Sequence, residues 1–218
     1  MKIVLYGIGV SAFVAKVRIV LDHKGLPFEE VPPPGGYGSA EYRVRVPAGS
    51  VPGMTVDGTP LHDSNAMMEF LDEVAPEPPL MPVEPLARAR IRALLGFHDT
   101  RVEAAVRALF PLVKRDWRGE PEALEAACAG IEAALERLDE IDAPARVLAG
   151  EGPTLADLAY PCTLQMGAML GAEMGRPLVL PPRIEDWAAQ VSTLPAVARS
   201  LAIHAQAMEG WMAGFRRA

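Results

Sequence analysis

Residues 47–64, PAGSVPGMTVDGTPLHDS, hold the groups best suited to gripping a small ligand. Proline fixes φ and lacks an N–H, so Val51-Pro52 suits a cis bond in a tight turn. The residue before it is held extended, and Val51 can therefore present its own N–H and C=O to a partner. Asp63 and Ser64 stand just ahead of Ala66, Met67, Phe70, Leu71 and Val74, which fall at helical spacing, and so mark a helix start. Free N–H groups at a helix N-terminus attract a carboxylate, and the Asp63 carboxylate beside them attracts an ammonium. Backbone pairing, a carboxylate contact and an amine contact in one short stretch describe a site for a small zwitterionic peptide.

Those groups act together only if the fold gathers them. Residues 3–6 read as a strand, followed by a turn at Gly7-Ile8-Gly9 and a helix to about residue 24, where Gly25 and Pro27 end it. Residues 28–31 read as a second strand, parallel to the first because a helix connects them. After the loop Pro32-Pro33-Pro34-Gly35-Gly36-Tyr37-Gly38, residues 39–45 form a short helix. Met54-Thr55-Val56 and Thr59-Pro60-Leu61 flank Asp57-Gly58, a dipeptide that favours hairpin turns. The order is β-α-β-α-β-β-α with a mixed four-stranded sheet. Beyond the proline-rich stretch 77–85 the pattern is helical: one helix from Pro85 to about Lys114, then 121–141, 154–169, 184–191 and 195–215. Thr154 and Asp157 form a capping-box-like start. The fold class is α+β, divided as residues 1–76, a linker 77–85, and an all-helical part 86–218.

Composition narrows the function. The 218 residues are 50% hydrophobic with net charge −7, enough for a sizeable core and without the basic face that nucleic acid or an anionic membrane requires. The N-terminal apolar run resembles a short secretory leader, but its helical pattern continues through Val14, Val17 and Leu21, which favours a strand and helix. No stretch is long enough to span a membrane. Cys128 and Cys162 are far apart, which fits a reducing compartment, and the four histidines lack ligand spacing with cysteine, so no metal is expected. His98-Asp99 reads as a pair on a helix surface.

This arrangement resembles the glutathione S-transferase superfamily over nearly the whole chain. The resemblance is carried by Pro47-Ala48-Gly49-Ser50-Val51-Pro52, Asp57-Gly58 and Asp63-Ser64-Asn65-Ala66-Met67. It is supported by Lys16-Val17-Arg18, Thr154-Leu155-Ala156-Asp157, and Trp187 followed by Leu194-Pro195-Ala196-Val197. It implies a thioredoxin-like N-terminal domain that binds glutathione as co-substrate. Val51 would pair with the cysteinyl backbone and Pro52 would be the cis-proline shaping the turn. Asp63 and Ser64 would hold the γ-glutamyl end, with Phe13 and Ser50 as further contacts. One departure is Val46, where the family usually has Asn.

In serine-type members, such as the zeta and theta classes, the catalytic serine matches Ser11. A thiol of pKa about 8.5 is mostly protonated at neutral pH, and a helix N-terminus plus a hydroxyl donor favours its thiolate. Tyr6 is the alternative donor, and packing also explains it. Cysteine-type chemistry is disfavoured, since no cysteine lies in the N-terminal half. The acceptor would be a small apolar electrophile lying between the two parts, near Phe97, His98, Arg101, Glu103, Trp117, Met208, Trp211, Met212 and Phe215. The implied protein is a cytoplasmic homodimer that conjugates glutathione. Alternatives are a weakly catalytic scaffold, which the Val46 departure would suit, or a glutathione-dependent isomerase or peroxidase.

Overall fold

The computed structural model describes residues 1–141 and 152–216. Strand β1 (Ile3–Tyr6) pairs in parallel with β2 (Phe28–Val31), because helix α1 (Ala12–His23) carries the chain back across the sheet. Strands β3 (Gly53–Val56) and β4 (Thr59–His62) run antiparallel, in the sheet order β2-β1-β3-β4. Asp57 and Gly58 both take positive φ, 49° and 86°, as a two-residue hairpin turn of matching twist requires. Helices α2 (Ala40–Arg45) and α3 (Ser64–Val74) complete the expected order.

Alternation along β1 separates the two faces of the sheet. Ile3 and Leu5 enter the main core with Val14, Met67 and Leu71, while Val4 and Tyr6 meet Tyr42 and Val46 on the opposite face. The register then decides where the connecting segments land. Tyr6 pairs with both Val31 and Gly53, and Gly53 pairs with His62. The ends of β1, β2 and β4 and the start of β3 are therefore level. The segments after Tyr6, after Val31, before Gly53 and after His62 all leave from one end of the sheet.

The remainder is helical among the described residues, with α4 (Pro85–Phe97), α5 (Glu103–Arg107), α6 (Phe110–Val113), α7 (Pro121–Ile141), α8 (Leu155–Ala159), α9 (Pro161–Glu173), α10 (Pro182–Ser192) and α11 (Pro195–Arg216). Two expectations need correction. The single helix expected from Pro85 to Lys114 is broken by a π-helical turn at His98–Val102 and again before Phe110. At the π turn the Thr100 hydroxyl donates to the Gly96 carbonyl (2.7 Å), a side-chain competitor for the helical ladder. Near the second break Pro111 has no N–H to donate. The helix expected over 154–169 is likewise divided at Pro161, and continues to Glu173.

Helix α1 is the hub. Nine of its twelve residues are buried, and it packs against α3 on one side and α8, α9 and α11 on the other. One continuous apolar core consequently runs through sheet and helices. The proline-rich stretch is pinned as well. Lys24 Nζ and the Leu80 amide both donate to Asp72 Oδ1 (2.6 and 2.9 Å), and the Leu80 carbonyl accepts from the Leu155 amide (3.0 Å). No helix among the described residues is long and apolar enough to cross a membrane.

Candidate active site

Ser11 caps α1 from an extended conformation (φ −84°, ψ 114°), and its Oγ accepts the Val14 N–H at 3.3 Å. That bond uses a lone pair, so the hydroxyl hydrogen remains for another acceptor. The amides of Ala12 and Phe13, in the first helical turn, have no carbonyl partner among the described residues. Ser11 faces a cavity of about 420 Å³ with Ile8, Val10 and Ala12. The loop leading to Ser11 packs closely on α11, because a Cβ on Gly9 would lie 2.7 Å from Ala207 Cβ. An anion placed before this helix end meets open N–H groups, the positive end of the helix dipole and one hydroxyl donor.

Ser50 and Val51 line the same cavity, and Tyr37 reaches it from the loop after β2. Val51-Pro52 is cis, as its sequence suggested. The turn is held from behind, where the Tyr42 hydroxyl donates to the Ser50 carbonyl (2.9 Å). Gly53 makes that possible, since a Cβ there would stand 2.1 Å from the Tyr42 oxygen. Burial pushes the Tyr42 phenol up to about 12, so it stays a donor. Val46 is fully buried against Tyr6 and Tyr42, an apolar prop at the position of the departure. Tyr6 packs tilted against Tyr42, with ring centroids 5.6 Å apart, on that same face.

Asp63 follows His62, the partner of Gly53, so it emerges beside Pro52 at the same sheet end. Its φ of 72° lies in the left-handed region, unusual for a residue with a Cβ, and marks a strained position of the kind found at ligand clamps. Its Oδ1 accepts from the amides of Asn65 (2.9 Å) and Ala66 (3.0 Å), which caps α3. Ser64 is 7% exposed at the first helical position. Neither Asp63 nor Ser64 lines the Ser11 cavity itself. Phe13 does not line it either. Its ring meets His98 edge-on at 6.2 Å, with Lys16 Nζ at 5.0 Å and the Arg107 guanidinium at 5.4 Å.

A buried polar network fixes these helix ends to the helical part. Lys16 Nζ donates to Asn65 Oδ1 and Asp99 Oδ1, both at 2.7 Å, and Asn65 Nδ2 donates to Asp99 Oδ2 at 2.8 Å. His98 is not the helix-surface residue expected, being fully buried. The ionised Asp99 can only accept, so His98 Nδ1 donates to it (2.6 Å) and Nε2 accepts from the Thr163 hydroxyl (2.8 Å). Burial outweighs the carboxylate and lowers His98 to about 4, while Asp99 is held low by its bond from His98 and by Lys16, against its own burial. His98 is thus a neutral strut between α4 and α9. Its imidazole is already used on both sides, which leaves it no part in acid–base chemistry at the cavity.

The opposite wall differs from the sequence expectation. Of the nine residues proposed there, Glu103 and Trp211 line the Ser11 cavity. Phe97 and Arg101 line a separate depression, Trp117 and Phe215 another, and Met208 and Met212 are core. Arg107, Phe110, Lys114 and Met166 were not anticipated. For Arg107, Phe110 and Lys114 the π turn contributes: one extra residue in the turn rotates the side chains that follow it by about 100°, so a phase carried through from Pro85 misplaces them. Pro111, near the end of the supposed helix, was a signal for the second break only, and nothing in the sequence marked the π turn. Among the described residues no group of His, Cys, Asp and Glu is arranged to hold a metal ion.

Residues 5–79 match the family model for the glutathione S-transferase N-terminal domain. A glutathione S-transferase of Pseudomonas putida is 28% identical over 78% of this chain and 77% of its own length. The holo structure of maleyl pyruvate isomerase, a bacterial zeta-class glutathione S-transferase, superposes with a TM-score of 0.73 at 24% identity, covering 94% of this chain and 98% of its own. A probable glutathione S-transferase of rice (Oryza sativa subsp. japonica) is 30% identical over 85% of this chain and 80% of its own length. With a thioredoxin-like sheet, a helical remainder and this similarity along most of its length, the chain belongs to the glutathione S-transferase family.

Proposed function

We propose that the protein is a glutathione transferase in which the Ser11 hydroxyl donates to the sulfur of bound glutathione and holds it as the thiolate. In this reading Val51 pairs with the cysteinyl backbone, cis-Pro52 shapes the turn, and Ser50 and the first turn around Phe13 supply further contacts. Asp63, with Ser64, takes the γ-glutamyl ammonium and carboxylate at the start of α3. Residues 1–76 act as the glutathione-binding domain, 77–85 as the linker, and 86–218 as the helical domain covering the sulfur.

The observation that carries this is the convergence of Ser11 and Val51 on one cavity at a helix N-terminus. The local field there favours a thiolate over a thiol. The thiolate then adds to an electrophilic carbon, and where that carbon bears a halide on a nitro-activated ring the adduct expels it as halide ion, with Ser11 acting as donor and never as nucleophile. The weakly catalytic scaffold is disfavoured, because the Tyr42–Ser50 bond holds the Ser50–Val51 turn without the asparagine that Val46 replaces. Two buried, unpaired cysteines support a reducing, cytoplasmic setting, and a homodimer engaged in detoxification extends the reading.

Calorimetric titration with millimolar glutathione, followed by turnover of 1-chloro-2,4-dinitrobenzene, tests it. Ser11→Ala is expected to lower kcat by about 10²-fold while glutathione affinity changes little, as for loss of one oriented donor. Unchanged turnover would remove Ser11 from the role. No glutathione binding by the wild type would sink the whole reading.

A further inference from the structure

We propose that the electrophile carries a carboxylate, held by Arg107 and Lys114 across the cavity from Ser11. The proposal rests on the transferase reading and names its substrate class. Lys114 lines the cavity and is exposed, and its side-chain ammonium has no hydrogen bond or ion pair among the described residues. Arg107 gives its Nε to both oxygens of Glu103, at 2.7 Å each, which leaves its two Nη groups without a protein partner. Glu103, 2% exposed, is the one acid among the lining residues, and Arg107 already balances it. The cavity therefore holds one uncompensated positive charge, together with a guanidinium edge suited to two carboxylate oxygens. A wall meant only for apolar molecules would not carry an unpaired cation in its lining, where it favours an anion over its neutral isostere.

The same wall specifies the body of the ligand. Phe110 and Trp211 both line the cavity, with ring centroids 5.3 Å apart, and the Arg107 guanidinium lies 5.8 Å from the Phe110 ring centre. Two tilted rings topped by a planar cation accept a flat, unsaturated or aromatic group. A halogenated nitrobenzoate fits both requirements. The glutathione sulfur bonds to the carbon bearing chlorine and the C–Cl pair leaves as chloride. The thiol proton goes to solvent, and the carboxylate is untouched.

Glutathione has carboxylates of its own, and the test separates them from the acceptor's. Isothermal titration would compare glutathione, S-(4-carboxy-2-nitrophenyl)glutathione and its carboxamide, which is nearly isosteric and lacks the charge. The wild type is expected to bind the carboxylate conjugate about tenfold tighter than the carboxamide, the scale of one charge-assisted contact. Lys114→Gln should shrink that gap to about threefold or less and leave glutathione and the carboxamide unchanged. Equal binding of the two conjugates by the wild type overturns the proposal, as does a gap that survives in the variant. Weakened binding of glutathione itself in Lys114→Gln also overturns it, because the anion at Lys114 would then belong to glutathione. If the wild type binds none of the three, the transferase reading fails and takes this one with it.

Discussion

The two walls of the cavity are made of different material. On the Ser11 side the working groups are helix-end amides, one capping hydroxyl and a cis turn tied to Tyr42, all set by a sheet register and a buried network. On the other side they are the tips of Arg107, Phe110, Lys114 and Trp211, carried by short helical pieces after a π turn and by the last helix. Backbone groups can be moved only by moving the fold. Side-chain tips can be exchanged while the fold stays. A molecule built this way keeps its grip on one constant ligand while its second ligand is free to vary.

Acid should strike the first wall hardest. His98 and His204 are both buried and neutral, with values near 4 caused chiefly by burial. His204 Nδ1 bonds Gln165 Oε1 (2.7 Å), and its Nε2 has no partner in hydrogen-bonding geometry. The Val10 carbonyl favours the protonated ring without offsetting burial. In the unfolded chain each ring takes a proton near pH 6.5, so stability is present above that value and is lost as pH falls from 6.5 towards 4. The loss is about 3 kcal/mol for each ring by pH 4. Urea unfolding across this range checks it, and His98→Asn should flatten part of the slope. A flat profile would show that neither strut is held neutral.

Lys16→Met is the next largest change. It leaves the Asp99 carboxylate without its cation in a buried network, a loss of about 3–5 kcal/mol in denaturant unfolding. Glutathione affinity should fall with it, because Asn65 beside Asp63 loses a partner. A stable variant with normal affinity would break the claim that this network holds the first wall. Gly53→Ala is smaller, about 1–3 kcal/mol of overpacking against Tyr42 and Val46, and should weaken glutathione binding by displacing the Ser50–Val51 turn. Smallest of all, Lys114→Gln should leave unfolding within about 0.5 kcal/mol of wild type, since nothing in the fold depends on it. The descending order is itself the contrast between the walls.

Most of the first wall was legible along the chain. Asp57-Gly58, Val51-Pro52, Asp63-Ser64 and the stop at Gly25 each state a local backbone conformation, and the strands and short helices appeared close to where they were expected. Phe13 was legible as a residue near the site but not as a ring turned towards His98 and Arg107. Along the chain alone, His98 reads as a surface residue beside Asp99. Its burial depends on α9 and Thr163, far along the chain.

The sequence by itself determined the order of elements, the turn chemistry and the family, because those rest on interactions between near neighbours and on short patterns with fixed geometry. Only the tertiary structure decided which side chains face Ser11. A π turn changed the phase of one helix, Pro111 broke it again, and long-range packing chose which tips reach the cavity. Arg107 and Lys114 look like any solvated cations on a helix when read in line. Their place opposite Ser11 exists only after α1 has packed against α9 and α11.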